Sequence, residues 1–219
     1  MTDFALARRN MVDSQLRPNK VTNAALLAVM GGLPRERFLP EALRSVAYAD
    51  DDVPLGGGRY LMEPMVLARL IQTLQPQPED RALVVGAGPG YGAALLARLV
   101  KTVTAVESKP ELVAAAAQIA RELAIEGVQW VSSGLELGGP GSAPYDVVLI
   151  EGAVRQVPQE ILDQVAEGGR LATIASGAPG AMGVAQIYVK AGGIASARPL
   201  FEAGTPLLPG FAPPSRFTF

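Results

Sequence analysis

Three glycines within five residues mark the first place where this 219-residue chain could bind a ligand. They follow the apolar run 82–85, which has the length and composition of a buried strand, and a helical pattern follows them. A glycine turn of this kind lets the backbone approach a ligand, and the helix amino terminus favours polar or negative groups. A second apolar run, 103–106, ends in Glu107, an acid placed to pair with a ribose diol. The spacing predicts a site for a nucleotide-type cofactor.

The spacing of the glycines argues against two common classes of cofactor site. A dinucleotide fingerprint, G-x-G-x-x-G/A, needs a small residue where this chain has Tyr91, and a P-loop needs a Lys-Ser/Thr pair that does not follow here. The pattern G-x-G-x-G resembles that of the S-adenosylmethionine-dependent methyltransferases. The alternative interpretation is that the glycines only form a turn and that Glu107 is a solvated strand end. The residues predicted to bind the cofactor here are Gly86, Ala87, Gly88, Gly90, Tyr91 and Glu107.

The sequence contains neither histidine nor cysteine. This composition excludes disulfides, thiol nucleophiles, Ser-His-Asp triads, imidazole bases and zinc sites of the ordinary Cys/His type. Methyl transfer from a sulfonium is an in-line displacement in which the enzyme mainly supplies alignment and excludes water. A carboxylate acceptor is already ionised near neutral pH and needs no base, whereas an amine or alcohol usually needs one. The composition is therefore consistent with a carboxylate acceptor.

The elements around the glycine loop indicate one α/β domain. Apolar runs of strand length alternate with helical segments between residues 82 and 175, which predicts a parallel sheet covered on both faces. Beyond residue 184 the pattern changes to strands without long helices, at 184–189, 197–201 and 217–219. We interpret residues 1–219 as a single domain, with a helical extension and loop in 1–60 and the cofactor-binding core in 61–219.

Helical patterns and one loop precede and connect these strands. The loop, 49–58, joins three aspartates to three glycines and is interpreted as a connection that can move. Capping residues and helical spacing predict the helices, with Asp3 before the first and Thr22 or Asn23 before the second. The predicted helices are 4–12, 24–30, 64–74, 93–100, 110–124 and 158–165.

Motifs outside the glycine loop occur in an order typical of one family. They lie at residues 11–17, 29–40, 47–50, 53–56, 144–146 and 167–169. With the glycine loop and its tyrosine, they make most of the chain resemble the protein-L-isoaspartate O-methyltransferases. The resemblance implies a Rossmann-like, doubly wound methyltransferase sheet, mostly parallel with antiparallel carboxyl-terminal strands. It also implies S-adenosyl-L-methionine as cofactor and the free carboxylate of L-isoaspartyl residues in damaged proteins as acceptor.

The sequence departs from the family at the acceptor end of the site. Met62 and Glu63 stand where the family has Ser-Gln, and a thioether cannot donate the hydrogen bond that the serine could. Glu63 either faces the site, where it repels a carboxylate, or caps the helix that begins at the next residue. Ser133-Gly134-Leu135 replaces the family's Gly-Asp-Gly and leaves no acid on the adenine side of the cofactor. Glu151 follows the fourth strand of the core, where small or hydroxylated residues are common.

These departures leave three functional hypotheses. The first is an isoaspartyl methyltransferase, the second is a methyltransferase with another acceptor, and the third is a cofactor-binding module without catalysis. The expected partners are isoaspartyl-containing proteins or peptides, and the chain is expected to be a monomer or dimer in the cytoplasm. Neither nucleic acid nor membrane is an expected partner, because the formal net charge is −2 and no apolar stretch approaches spanning length. No metal is expected, since the aspartates at 50–52 are interpreted as solvated.

Overall fold

The computed structural model describes residues 3–177 and 181–211. These residues contain nine strands, of which seven form one sheet and two form a separate hairpin. The strands are β1 Val53–Gly56, β2 Arg59–Leu61, β3 Arg81–Val85, β4 Thr102–Glu107, β5 Val128–Ser132, β6 Tyr145–Val154, β7 Val165–Ala175, β8 Gly183–Ala191 and β9 Ile194–Ala203. The α-helices are α1 Phe4–Asn10, α2 Ala24–Gly32, α3 Pro64–Leu74, α4 Tyr91–Leu96, α5 Pro110–Glu122 and α6 Gln159–Asp163.

The large sheet has the order β5-β4-β3-β6-β7-β8-β9. The strands from β5 to β7 run parallel, and β8 and β9 pair antiparallel at the far edge. Along the chain, β4 and β5 follow β3 and lie on one side of it, and β6 to β9 come next and lie on its other side. The crevice beyond the carboxyl ends of β3 and β6 is therefore where a ligand binds in sheets of this kind. The predicted fold class is confirmed.

Hydrophobic side chains cover both faces of the sheet. One cluster joins the N-terminal helices with α3, α4 and one face of β3 and β6. The second cluster lies on the opposite face and includes Ile161 of α6 together with Leu208 and Phe211 near the end of the described chain. This arrangement explains why β3 and β6 are apolar on both faces, as the sequence of a central parallel strand requires.

The N-terminal helices begin at the predicted capping residues. The Asp3 side chain accepts a hydrogen bond from the Leu6 amide at 2.9 Å, and the Asn23 side chain accepts one from the Leu26 amide at 3.0 Å. The first helix continues from α1 as a π-helix over Met11–Leu16. Gly31 and Gly32 do not end α2 as expected; they form its last turn, and Leu33 is the first residue beyond it.

The prediction of a loop over 49–58 is wrong for its second half. β1 and β2 pair antiparallel there, with Gly57 and Gly58 at positive φ between them. Paired positive φ values suit the tight turns that join such strands, which explains why the turn needs glycines. The expected boundary at residue 60 falls inside β2.

Other boundaries differ from the sequence expectation by a few residues. α4 begins directly at Tyr91 and ends at Leu96, so it is shorter than the predicted helix and starts earlier. β6 and β7 extend beyond the apolar runs 146–150 and 170–175 that predict them, because both include residues on the far side of a register shift. The strand expected at 217–219 lies outside the described residues. Within the described part of the chain, no helix has the length and apolar character that crossing a membrane would take.

Candidate cofactor and acceptor site

The glycine loop lies at the carboxyl end of β3, between the ends of β4 and β6. Gly86 and Gly88 have φ values of 75° and 52°, in the left-handed region that side chains disfavour. The amides of Gly86 and Ala87 both donate to the carbonyl of Val106, at 2.9 and 3.1 Å. The Gly88 amide donates instead to the carboxylate of Glu107 at 3.0 Å. The loop and the acid predicted to bind the cofactor are thus in direct contact.

Tyr91 points away from the crevice and into the core. Its ring is fully buried, contacts Phe38 edge-on at 5.2 Å between centroids, and lies 5.0 Å from the guanidinium carbon of Arg35. The side chain therefore anchors the start of α4 to the N-terminal extension and does not obstruct the packing of α4 on the sheet. Gly90 precedes it at φ 96°, and a Cβ there would come within 2.5 Å of the Trp130 ring.

Glu107 is buried and paired with an arginine that sequence analysis did not identify. Arg59 of β2 donates from Nε to both carboxylate oxygens at 3.1 Å and from Nη2 to Oε1 at 3.0 Å. The amides of Ser108 and Lys109 donate to Oε1 as well, at 2.7 and 3.0 Å. Both side chains of the Arg59–Glu107 pair are 2% exposed. The acid proposed for a ribose diol therefore already accepts a full set of hydrogen bonds.

The residues at the carboxyl ends of β3 and β4 are of the types that can bind S-adenosylmethionine. A Cβ added at Gly88 would meet only Leu55 Cδ1, at 3.9 Å. The space beside this glycine is therefore open, and a ligand can approach the backbone of the loop there. Glu107 stands at the end of β4 with its carboxylate toward the same loop. The fit requires Arg59 to release or share Glu107 when ribose hydroxyls approach.

Ser133, Gly134 and Leu135 follow β5 at the same edge of the sheet. The Ser133 amide donates to the carbonyl of Glu107 at 3.2 Å, which ties this segment to the end of β4. Leu135 is buried in the second core cluster, so its side chain serves packing. Glu136 folds back over Gly134, where a Cβ would meet its Oε1 at 2.5 Å. The segment lies where an adenine-side contact is expected.

Met62 is 2% exposed, and its backbone is fixed by an arginine. Arg35 donates from Nη2 to the Met62 carbonyl at 2.8 Å and from Nε to the Ala47 carbonyl at 2.6 Å. Burial lowers the pKa of Arg35 from its ordinary value, and the neighbouring Tyr91 and Glu151 oppose that shift. Arg35 thereby holds the acceptor segment against the start of the chain.

Glu63 precedes α3 at the N-cap position but does not cap it by a side-chain hydrogen bond. The carboxylate is half-buried among acids, and desolvation together with Asp50, Asp52 and Asp51 raises its pKa to about 7. Its amide donates to Asp52 Oδ1 at 2.7 Å. Glu63 thus makes no side-chain capping hydrogen bond, and its carboxylate is not among the groups that line the cleft beside Met62.

The aspartate run is not uniformly solvated as expected. Asp50 and Asp51 are exposed, whereas Asp52 is half-buried and lines a cleft beside Met62. Burial raises the pKa of Asp52 to about 6, because the hydrogen bond from Glu63 and the charge of Arg35 only partly offset desolvation. Among the residues that the structure describes, no three His, Cys, Asp or Glu side chains are placed to hold a metal ion together.

Glu151 closes the acceptor end of the crevice from β6. Its carboxylate lies against Gly92, whose added Cβ would come within 2.5 Å of Oε2, and it accepts a hydrogen bond from the Gly92 amide. Burial raises the pKa of Glu151 to about 8, against the opposing effects of Arg35 and Gly92. The Oε2 atom of Glu151 is buried without a hydrogen-bond partner.

Sequence reasoning missed three residues of this site: Arg35, Arg59 and Thr205. Each lies on an element far from the glycine loop along the chain, so spacing carried no signal for them. Thr205 arrives because residues 206–208 pair with β6, where Ala153 donates to the Pro206 carbonyl and Leu208 donates to the Ala153 carbonyl, at 3.0 and 2.8 Å. A basic residue in a glycine-rich turn opposite the glycine loop is the one available signal for Arg59.

Solved structures of similar fold support the topology. A protein-L-isoaspartate O-methyltransferase superposes with a TM-score of 0.79 at 23% identity, covering 93% of this chain and 67% of that one. A protein from Plasmodium falciparum, described as a protein-L-isoaspartate O-methyltransferase in complex with S-adenosyl-L-homocysteine, gives a TM-score of 0.76 at 18% identity. That match covers 96% of this chain and 100% of the other.

Sequence comparison gives the family directly. A protein-L-isoaspartate O-methyltransferase of Methylorubrum populi is 39% identical over 180 residues, which cover 82% of this chain and 83% of that protein. One from Methanoregula boonei is 40% identical over 167 residues, covering 75% and 76% of the two chains. The profile of the protein-L-isoaspartate(D-aspartate) O-methyltransferase family matches residues 7–192. With the glycine loop, the acid at the end of β4 and the topology all in agreement, this chain belongs to that family.

Proposed function

We propose that this chain transfers a methyl group from S-adenosylmethionine to the free carboxylate of L-isoaspartyl residues in proteins or peptides. The single observation that carries the proposal is the closeness of the glycine loop to Glu151: a Cβ added at Gly86 would lie 3.6 Å from the Glu151 carbonyl oxygen. Gly88 of the same loop donates to Glu107, and Glu151 lines one cleft with Met62. A cofactor half and an acceptor half thus meet where a methyltransferase needs them. Family membership supports the same reaction.

The cofactor supplies a methyl group already activated on a sulfonium, and the chain's residues supply position and a dry environment. Gly86 and Gly88 let the loop backbone approach the cofactor, and Glu107 accepts from its ribose hydroxyls. We also propose cofactor contacts at Ala87, Gly90, Tyr91, Ser133, Gly134 and Leu135, through the backbone where the side chain is buried in the core. An ionised carboxylate acceptor needs no base, which suits a chain without histidine.

The hairpin β1–β2 joins the two halves of the site. Arg59 contacts the acid on the cofactor side, and Met62 follows β2 immediately on the acceptor side. Leu55 and Met62 of this segment pack into the hydrophobic core.

A second acceptor class is favoured by one observation. The acceptor end presents the carboxyl groups of Asp52, Glu63 and Glu151, and Met62 offers no hydrogen-bond donor. Asp52, with a pKa of about 6, is mostly ionised near neutral pH, so it repels a carboxylate acceptor, tolerates a neutral one and attracts a cationic one. The second candidate function is thus methyl transfer from the same cofactor to such an acceptor, and the third is cofactor binding without transfer.

The test incubates the protein with methyl-labelled S-adenosylmethionine and an isoaspartyl peptide, beside its normal aspartyl twin. We expect base-labile label on the isoaspartyl peptide alone, with calorimetric binding of the cofactor. Binding without label on that peptide would eliminate the first function and leave the other two. Absence of cofactor binding would eliminate all three. The proposed partners are isoaspartyl-bearing proteins, the proposed compartment is the cytoplasm, and monomer or dimer remains the proposed assembly.

A further inference from the structure

A polar groove lies at the amino ends of β3, β4 and β5, at the opposite end of these strands from the glycine loop. Its free volume is about 420 Å³. Small-molecule sites in proteins usually measure about 300–1,000 Å³, so the groove has the size of a ligand site. We call it the amino-end groove, and its polar lining includes Arg81, Thr102, Thr104, Gln129 and Ser142.

A short connection leaves the sheet open at this groove. Between β5 and β6 the chain forms two 3₁₀ turns, Leu135–Leu137 and Pro140–Ser142, where a parallel sheet is usually covered by a helix. The sequence of β4 matches an open face, because Thr102 and Thr104 alternate with the buried Val103. A strand between two parallel neighbours is ordinarily apolar on both faces. The two threonines are therefore exceptions that the core does not explain.

The strand register brings four polar side chains together on this face. Arg81 of β3 pairs with Thr102 of β4, and Thr104 of β4 pairs with Gln129 of β5. Side chains of paired residues point to the same face of a sheet, as do side chains two residues apart along a strand. The guanidinium, the two hydroxyls and the amide thus converge from three neighbouring strands.

The Arg81 guanidinium is the charged group of the amino-end groove. Its Nη2 donates to the Ser142 carbonyl, and the Arg81 backbone amide donates to Asp146 Oδ2 at 2.8 Å. Among the described residues, the guanidinium forms no ion pair with a carboxylate, and none of those that line the groove is acidic. The positive charge therefore faces the groove without an opposing acid, and Nε and Nη1 remain available as donors.

Thr104 and Gln129 add donors beside the guanidinium. Thr104 is 6% exposed and lines the groove, and its hydroxyl has no hydrogen-bond partner within the described part of the chain. The Gln129 Oε1 atom accepts from the Ser142 hydroxyl at 3.2 Å, which leaves the Gln129 amide hydrogens free to donate. A donor-rich, positively charged lining complements an anion with several acceptor oxygens.

We propose that the amino-end groove binds a small phosphate monoester through its phosphoryl group. A phosphoryl group presents three acceptor oxygens, which suit the Arg81 fork, the Thr104 hydroxyl and the Gln129 amide better than the two oxygens of a carboxylate. The volume leaves room beside the phosphoryl group for a remainder of the size of a sugar. The site is independent of the proposed methyl transfer, because S-adenosylmethionine carries no phosphoryl group and its crevice lies at the other end of the strands.

The experiment titrates the protein calorimetrically with ribose 5-phosphate, with inorganic phosphate and with ribose at constant ionic strength. Arg81→Gln removes the charge, and Thr104→Val removes the hydroxyl while keeping the shape of the side chain. Arg98→Gln, at an exposed position after α4, is the matched control. Titrations repeated with saturating S-adenosyl-L-homocysteine separate the groove from the cofactor crevice.

We expect saturable binding of ribose 5-phosphate, competition by inorganic phosphate and no measurable binding of ribose. Arg81→Gln should weaken the binding of ribose 5-phosphate about tenfold or more and Thr104→Val about threefold, while Arg98→Gln changes it by less than about twofold. Saturating S-adenosyl-L-homocysteine should leave the affinity unchanged.

Four results would each overturn the proposal: no saturable binding of ribose 5-phosphate, equal binding of ribose, no competition by inorganic phosphate, or displacement by S-adenosyl-L-homocysteine. Wild-type affinity in Arg81→Gln would overturn it as well. If Arg81→Gln fails to fold, the nearly isosteric Thr104→Val decides the same question, and wild-type affinity in that variant then counts against the groove. None of these arms measures methyl transfer, so a failure of the proposed function remains a separate result.

Discussion

We propose that the buried Arg59–Glu107 pair controls access to the cofactor half of the site. Five hydrogen-bond contacts from Arg59 and from the amides of Ser108 and Lys109 converge on one carboxylate, and Gly88 adds another. Ribose hydroxyls need some of the same oxygen lone pairs. Cofactor binding must therefore overcome a contact that the protein already makes.

Replacing Arg59 by glutamine should change the stability of the protein and its affinity for S-adenosyl-L-homocysteine in opposite directions. We expect Arg59→Gln to destabilise the protein by about 3 kcal/mol, since it leaves a buried carboxylate held only by amides and Ser108. We expect the same variant to bind S-adenosyl-L-homocysteine about tenfold more tightly, because the hydroxyls no longer displace a guanidinium. Thermal unfolding and calorimetry measure the two effects, with the exposed Arg98→Gln as control. Weaker binding would mean that Arg59 helps to hold the cofactor.

Substitutions at Met62 test whether this side chain contacts the acceptor. Met62→Ser restores a hydroxyl at the position where the family has serine, and we expect at least a several-fold rise in isoaspartyl methylation. Because Met62 is buried, the variant should also lose about 2–4 kcal/mol of stability. Met62→Ala opens a similar cavity without a hydroxyl and is the control. Equal activity in the two variants and the wild type would show that position 62 does not contact the acceptor.

The helix α4 contacts the strand β6 through Gly92 and Glu151. The carboxylate of Glu151 occupies the space where a side chain at Gly92 would lie. The start of α4 therefore tolerates only glycine while Glu151 keeps its position, although Gly92 has an ordinary helical backbone.

A double-mutant cycle measures this contact. We expect Gly92→Ala to destabilise the protein by about 1–3 kcal/mol, because the new methyl group collides with the carboxylate. In a Glu151→Ala background the same change should cost less by at least about 1 kcal/mol, since the colliding group is gone. Denaturant unfolding of the four proteins gives both values. Additive effects would place Glu151 away from Gly92.

The sequence predicted the elements of the sheet well because each carries a local signal. Apolar runs bounded by turns predict β3, β4 and β6, and Pro64 and Pro110 mark the first turns of α3 and α5. The hairpin β1–β2 was missed because a short strand pair around two glycines has no hydrophobic period. Its stability comes from tertiary contacts, chiefly Arg59 with Glu107 and the burial of Val53 and Leu61.

The candidate site was predictable where successive strands of the sheet bring residues together, or where a family motif marks their positions. The glycine loop and Glu107 follow successive strands of a parallel sheet, so the topology brings them together. Arg59 and Glu107 are 48 residues apart, and Arg35 and Met62 are 27 apart, in different elements. No periodicity records such contacts, because they depend on how the N-terminal extension packs against the core.

Three partly or fully buried carboxyl groups have raised pKa values, and together they affect the stability of the whole molecule. Burial raises the pKa of Asp52 to about 6, of Glu63 to about 7 and of Glu151 to about 8. A carboxyl group with a raised folded pKa stabilises the fold below its unfolded pKa and loses that contribution as pH rises through the folded value. These groups therefore reduce stability progressively between about pH 4 and pH 8.

Replacing the fully buried acid should flatten this dependence. We expect the melting temperature of Glu151→Gln, relative to the wild type, to rise as pH increases from about 6 to 9. The gain at the upper end should be on the order of 1–3 kcal/mol, or roughly 2–10 °C. Calorimetric scans across this range measure it, and Glu160→Gln should give a difference that does not vary with pH. A constant difference for Glu151→Gln would contradict the assigned burial effect.

We propose that this chain, without histidine or cysteine, methylates a carboxylate that arrives ionised. The most direct measurement is transfer of label from S-adenosylmethionine to an isoaspartyl peptide and to its aspartyl twin, with the Glu107→Gln variant beside the wild type. We predict base-labile label on the isoaspartyl peptide alone and its loss in Glu107→Gln. Cofactor binding by the wild type with no label on that peptide would contradict the claim.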